Sequence, residues 1–437
     1  MQTRNVVIVD GVRTPFSKGG KGKLEAARMD ELGAQVVRAL LARNPKVKPT
    51  MIHEFGIGMG EQTPEASTPN YVARLAGLPY EVCNFSSNRA CAGSQETAAR
   101  ITMGIMLGEY DCGIAFGVER MGRTLLGSAP PRVTTRRDSF NPRILQPTPL
   151  QRNMPADHFD YFSVPIPDYV LDSPPLASMV QTAQNVCDMY GFTREELDAF
   201  SMRSQHKLAK AYDAGIYKDE VLAVEVEDPV FDDQGNWLPN ERGPMITLDR
   251  DESVRGNTTM EGLAKLPIVK GIQSYGGKEL MITAGNSCPT NAGTSAVLIM
   301  AEEMALKLGI EYLARVVGWG NGGVKQQLMG IGPVVSTKQA LRRFKLAPEQ
   351  IDRVEFNEAF ACQVIATLKE TGIPESKVNV NGGSIGIGHP IGATGARLIM
   401  TVCKELKRSN KRYGLCTQCI GFGQGMTTLF ENPDAPK

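Results

Sequence analysis

Long apolar runs are missing from these 437 residues: no stretch approaches the roughly 18 needed to cross a bilayer. The first residues, MQTRNVVIVDGVRTPF, pass straight into a short β-branched run and a Gly/Pro turn, without the longer apolar stretch of a secretory signal. A cytoplasmic protein is therefore expected. A surplus of one charge is missing too. Lys and Arg number 48 against 47 Asp and Glu, so overall charge gives no reason to expect nucleic acid, and any anionic ligand must meet a local patch. There is no GxxxxGK[ST] phosphate loop, and no second C-x-x-C to complete a zinc site with Cys416 and Cys419. Nine cysteines, at 83, 91, 112, 187, 288, 362, 403, 416 and 419, cannot all pair. Most read as small buried hydrophobes of a reducing compartment.

What is present is an ordinary globular composition, 42% apolar and 22% charged, in a chain long enough for two or three domains. Short β-branched runs alternate with longer helical patterns, which favours an α/β layered fold. NVVIVDGV (5–12) and YDCGIAFGVE (110–119) read as strands. In 29–43 the apolar positions 32, 36, 37, 40 and 41 form one helical face. The alternation returns from about residue 280. Between these regions, 124–175 holds ten prolines and no sustained periodicity, so it reads as an inserted, loop-rich segment. Helix resumes after 176, notably over 193–215, where Thr193 and Glu196 form a capping box. The expected domains are a first half over 1–121, completed by about 250–275, an inserted loop domain over 122–249, and a second half over 276–437.

An internal echo crosses these boundaries. NRACAGSQETAAR (88–100) and GIGHPIGATGAR (386–397) each run from a polar or Gly-rich loop, through one reactive residue, into a small-residue helix ending in Ala-Arg. Each is followed by a short strand. One such pair can arise by chance or by duplication of one α/β unit.

Four places carry side chains suited to chemistry. Cys91 precedes a helical pattern with apolar positions 98, 101 and 105, and a thiol at the positive end of a helix is biased toward thiolate. Taken alone, it reads more readily as a space-filling cysteine beside Ala90 and Ala92. His389 stands in a glycine frame just before Pro390, at a strand-to-helix junction of the kind where α/β folds place ligand chemistry. The frame fails as a dinucleotide fingerprint, because the required third glycine is Ile391. In CTQCIGFGQG (416–425) the glycines offer main-chain N–H groups beside a thiol, suited to an oxyanion, which favours Cys419 over Cys416. In VEFNEAFA (354–361), Asn357 can donate a hydrogen bond and Glu358 can orient a neighbour or accept a proton. A polar pair at a strand end is also a common helix cap.

Taken in order, NRACAGS, NEAFA, GGSIGIGHPIGATGAR and CIGFGQG resemble the thiolase family. The likeness extends over nearly the whole chain, through DGVRTPF (10–16), GVERM (117–121), SQHKLAKAYDAG (204–215), LAKL (263–266) and TAGNS (283–287). It implies a thiolase fold: two duplicated α/β halves in a five-layer αβαβα arrangement, with an inserted loop domain. It also implies an acyltransferase in which Cys91 takes the acyl group after His389 accepts its proton, and Cys419 serves as acid and then base. Asn357, through a water, and His389 would hold the enolate oxygen, while the N–H groups of Cys91 and Gly421 would hold the tetrahedral oxyanion. Coenzyme A enters as a substrate; no metal or nicotinamide is implied.

The chain departs from many members after TAGN, where it reads Ser287-Cys288-Pro289-Thr290-Asn291, so a hydroxyl contact to the pantetheine arm is not carried over. The expected activity is thiolysis of 3-ketoacyl-CoA in fatty-acid β-oxidation. The rivals are a biosynthetic acetoacetyl-CoA thiolase, a ketoacyl-synthase type of condensing enzyme, which normally lacks the second cysteine, and a non-catalytic acyl-CoA-binding protein. The resemblance further implies a homodimer. In the insert, Arg132, Arg136, Arg137, Arg143 and Arg152, followed by Phe159, Tyr161, Phe162 and Tyr169, suit CoA phosphates, a lipid surface or a partner subunit. Such an insert resembles that of thiolase subunits in β-oxidation multienzyme complexes. Docking of a hydratase/3-hydroxyacyl-CoA dehydrogenase α subunit, in an α2β2 complex, is the favoured expectation.

Overall fold

The computed structural model describes residues 3–60, 69–121, 161–172 and 178–436. Its strands are β1 (Val6–Arg13), β2 (Ser17–Lys18), β3 (Glu54–Met59), β4 (Cys83–Asn88), β5 (Cys112–Arg120), β6 (Val224–Glu227), β7 (Met245–Leu248), β8 (Asn291–Ala301), β9 (Ala314–Gly323), β10 (Arg353–Phe356), β11 (Tyr413–Ile420) and β12 (Gln424–Glu431). The longer helices are α1 (Met29–Arg43), α2 (Pro69–Leu75), α3 (Gly93–Leu107), α4 (Met179–Tyr190), α5 (Arg194–Asp213), α6 (Gly332–Phe344), α7 (Ala361–Thr371) and α8 (Ile391–Arg408). Among the described residues no helix is long and apolar enough to cross a membrane.

One mixed sheet runs β4-β3-β5-β8-β1-β9-β12-β11-β10, with β2 extending the pairing of β8 and β6–β7 forming a separate hairpin. Its two arms repeat one plan. In the first, β3 is parallel to both β4 and β5, β5 is antiparallel to β8, and β8 is antiparallel to β1. In the second, β10 is parallel to β11 and, through a Val354–Val378 bridge, to the segment at 378, while β11, β12 and β9 follow antiparallel. Among the described strands the arms join where β1 meets β9, through Val7–Arg315 and Ile8–Ala314. Duplication rather than chance therefore accounts for the echo: α3 and α8 occupy equivalent places, each leading into the fourth strand of its arm.

Period-two alternation explains the layering. On β1, Val7, Val9 and Val12 face an outer core with α1, while Val6 and Ile8 face a central core. On β8, all of whose residues are buried, Ala296, Leu298 and Met300 face outward and Val297, Ile299 and Ala301 inward. Strands covered on both faces need such continuous apolar runs. The central core is filled by Ala98, Ile101 and Ile105 of α3 and by Leu398, Ile399, Met400 and Val402 of α8, so these helices lie between the arms. α1 covers the first arm with its Leu32, Val36, Val37 and Leu40 face, and α6 covers the second through β9 and β12. Five layers result. α3 and α8 cross so closely that a Cβ on Gly395 would meet the Gln95 nitrogen at 2.3 Å.

Of the segment after 176, α4 and the start of α5 dock on the second half, whereas the β6–β7 hairpin packs on the outer core of the first arm. Thr193 and Glu196 form the expected capping box of α5. Arg13, fully buried, donates to Glu220 at 2.7 Å and to Asp251 at 2.7 and 2.9 Å, tying β1 to this region. Arg132, Arg136, Arg137, Arg143, Arg152 and Phe159 lie outside the described residues. Phe162 and Tyr169 pack against the outer core of the second arm, and the Tyr169 hydroxyl donates to the Asp188 carbonyl at 3.1 Å. Lys338 donates to the Tyr161 carbonyl at 2.6 Å. Phe162 and Tyr169 are thus seated on the body, and Tyr161 is tied to it through its main chain.

Candidate active site

Each half supplies part of one site. Cys91 lies in a single 3₁₀ turn, Ala90–Ala92, between β4 and α3, and Ala90 takes a left-handed φ of 42° to turn the chain sharply there. Cys91 is 8% exposed, whereas Cys419, near the end of β11, is completely buried. His389 precedes α8, where Pro390 occupies the N-cap rather than the first helical turn. Asn357 follows β10.

These residues meet. The Cys91 thiol is held well below its ordinary range, chiefly by a hydrogen bond with Cys419, with further help from His389 and the Gly421 main-chain N–H, against the opposing effect of burial. Cys419 is pushed well above its ordinary range, first by its bond to Cys91, then by burial and the Cys91 charge. The partners of the Cys91 sulfur, Cys419, His389 and the Gly421 N–H, all come from the other half of the chain. Cys416, three residues before Cys419, faces the central core instead; burial raises it to about 12.

The His389 ring has a defined proton. Thr394 Oγ1 donates to the Pro390 carbonyl at 2.9 Å, so toward His389 Nδ1, 2.6 Å away, it acts as acceptor. Nδ1 therefore carries the hydrogen and Nε2 is the basic nitrogen, 3.3 Å from Asn357 Nδ2. The His389 main-chain N–H donates to Asn291 Oδ1 at 2.9 Å, which fixes the loop.

Asn357 and Glu358 do not cap a helix, since α7 begins at Ala361 after a Phe360 N-cap with no side-chain bond. Glu358 is buried and accepts from Ser204 Oγ (2.7 Å), Asn379 Nδ2 (2.7 Å) and the Ile385 N–H (3.1 Å). It orients the loop that carries His389. Cys288 lies near enough to feel the charge of Cys91, and burial drives its thiol up and keeps it neutral. Its N–H donates to the Ala359 carbonyl at 2.9 Å.

Sequence reasoning brought Cys91, His389, Cys419, Asn357 and Gly421 to this place but missed Thr394, Asn291, Ser384 and Arg397. Thr394 alone had a readable signal, since a hydroxyl five residues after His389, in the first turn of a helix, can reach back to the ring.

Two family models match: "Thiolase, N-terminal domain" over residues 6–303 and "Thiolase, C-terminal domain" over 310–432. The chain is 34% identical to the 3-oxoadipyl-CoA/3-oxo-5,6-dehydrosuberyl-CoA thiolase of Escherichia coli K12, covering 98% of this chain and 99% of that one. It is 36% identical to the 3-ketoacyl-CoA thiolase of Bacillus subtilis 168, with the same coverage. Among solved structures, human mitochondrial 3-ketoacyl-CoA thiolase aligns with a TM-score of 0.78 at 28% identity, over 99% of this chain and 100% of that one. The dimeric peroxisomal thiolase of Saccharomyces cerevisiae aligns at 0.76 and 27%, over 98% and 97%. With both halves matched and relatives similar from end to end, the chain belongs to the thiolase family and is an acyltransferase.

Proposed function

We propose that this thiolase cleaves 3-ketoacyl-CoA with CoA in fatty-acid β-oxidation, using Cys91 as nucleophile, His389 as its base and Cys419 as acid and then base. The observation that carries the reading is the meeting of groups from both halves at one sulfur: Cys419, His389 and the Gly421 N–H reach Cys91, and Asn357 Nδ2 lies 3.3 Å from His389 Nε2. Cys91 sulfur attacks the 3-keto carbon after His389 Nε2 takes its proton. The C2–C3 bond breaks, its electron pair passes to C2 as the enolate of acetyl-CoA, and Cys419 protonates C2. The Cys419 thiolate then takes the proton of incoming CoA, whose sulfur attacks the acyl group and releases Cys91. His389 and Asn357 serve the enolate oxygen. The N–H groups of Cys91 and Gly421 serve the tetrahedral oxyanion, where losing one donor costs about 100- to 1000-fold in rate.

Thiolysis of straight-chain 3-ketoacyl-CoAs, compared with 3-oxoadipyl-CoA, tests the substrate. A higher kcat/KM on straight chains supports the reading; a preference for the dicarboxylic substrate overturns it. A second copy of the chain fits the edge of β4, which among the described residues pairs on one side only and exposes Cys83, Ser86 and Asn88. Met103 and Leu107 of α3 are exposed apolar side chains, and Tyr80, ahead of β4, is 88% exposed. Light scattering at the mass of a dimer is expected. Docking of the hydratase/dehydrogenase partner is assigned to 132–170: deleting that segment should release the partner in co-purification and spare thiolysis of short substrates.

A further inference from the structure

The amide of Asn357 has a definite direction, and the residues that set it lie behind the site. The main chain at Asn357 is pinned: its N–H donates to the Thr417 carbonyl at 3.0 Å, and its carbonyl accepts from Gln363 Nε2 at 3.3 Å. What remains soft is rotation of the terminal amide, a broad, nearly two-fold torsion. Either end of that amide can face His389 Nε2, and only the NH₂ end offers a donor to a nitrogen lone pair.

The choice is made by a fully buried hydroxyl. Ser384 Oγ lies 2.6 Å from Arg397 Nη2 and 2.7 Å from Asn357 Oδ1. A guanidinium has no acceptor, so Ser384 accepts from Arg397 and its single proton is left for Asn357. The amide oxygen is thereby held toward Ser384 and the NH₂ toward His389. Arg397 is in turn fixed by Glu355, 2.9 Å away, and both are buried. Arg397 Nε has no partner among the described residues, a cost that packing alone would not favour.

We propose that Ser384, held by the Arg397–Glu355 pair, is a positioning residue for the reaction: it orients the Asn357 amide so that its NH₂, beside His389, serves the enolate oxygen. This rests on the role assigned to Asn357 under the proposed function. The test is a double-mutant cycle on thiolysis of the best 3-ketoacyl-CoA. Ser384→Ala is expected to lower kcat about 10-fold, a partial loss of one donor, with KM within about twofold. Alkylation of Cys91 by iodoacetamide should stay within about twofold, because the bonds of Cys91 to Cys419, His389 and Gly421 are untouched. In an Asn357→Ala background the same substitution should have no further effect on kcat.

Wild-type kcat in Ser384→Ala, or an equal loss in both backgrounds, would overturn the inference. If Asn357→Ala itself leaves turnover intact, the role assigned to Asn357 fails instead. Should Ser384→Ala not accumulate as folded protein, Ser384→Cys, with similar volume and a poorer donor, takes its place in the cycle.

Discussion

Replacing Cys419 by alanine removes the hydrogen bond that does most to bias the Cys91 thiol toward its anion. A hydrogen bond to a charged group contributes about 1.5–3 kcal/mol, and each 1.4 kcal/mol is a factor of ten in the thiolate population. On the acid limb, near pH 6, Cys91 in Cys419→Ala should therefore react with iodoacetamide about 10- to 100-fold more slowly, and the limb should move to higher pH. The sign follows from the loss of a donor to the anion. His389 and the Gly421 N–H remain, so reactivity falls without vanishing. Cys419→Ser keeps a donor in place and should hold the alkylation rate within a few-fold of wild type while turnover collapses, since a serine hydroxyl is too weak an acid to protonate C2. Peptide mapping by mass spectrometry separates Cys91 adducts from those of exposed Cys83. Alkylation of Cys419→Ala at the wild-type rate near pH 6 would refute the claim that the two sulfurs share a hydrogen bond.

Two further outcomes follow from strain and from burial. Phe422 sits at a φ of 70° between Gly421 and Gly423, with its ring 49% exposed; Phe422→Gly relieves the left-handed strain and should stabilise the protein by about 1 kcal/mol, read as a higher Tm. Burial pushes the Glu355 carboxyl up to about 8 despite Arg397. The folded state then binds a proton that the unfolded state releases, so this group's contribution is present at acid pH and is lost as pH rises through about 8. Relative to wild type, Glu355→Gln should gain stability between pH 5 and 8; a constant Tm difference across that range contradicts the assignment.

Much of the fold is legible because its signals are local. The 29–43 helical face and the Thr193–Glu196 box depend on neighbours within a turn or two, and both stand as read. The repeat is harder to read. What the two halves share is strand order and direction, while the sequences retain only a loop, one reactive residue and a small-residue helix. Cys91, His389 and Cys419 are recognisable through the order and spacing of the motifs that hold them and not through any property of a lone thiol or imidazole. Ser384 and Arg397 were not legible, because a buried hydroxyl takes its role from which donor reaches it, here across thirteen positions of loop and helix. The helix-cap reading of Asn357 failed for a related reason: the next helix starts too late, and the amide's partners come from 384 and 389.

The crossing of α3 and α8 has a further consequence. Cys91 stands ahead of one helix and His389 ahead of the other, so the ribosome makes the sulfur well before the imidazole proposed as its base. Until the second copy of the unit folds against the first, the Cys91 thiol lacks the partners that bias it toward its anion. On the proposed roles, a thiolate able to attack thioesters thus arises only once the two halves have folded together.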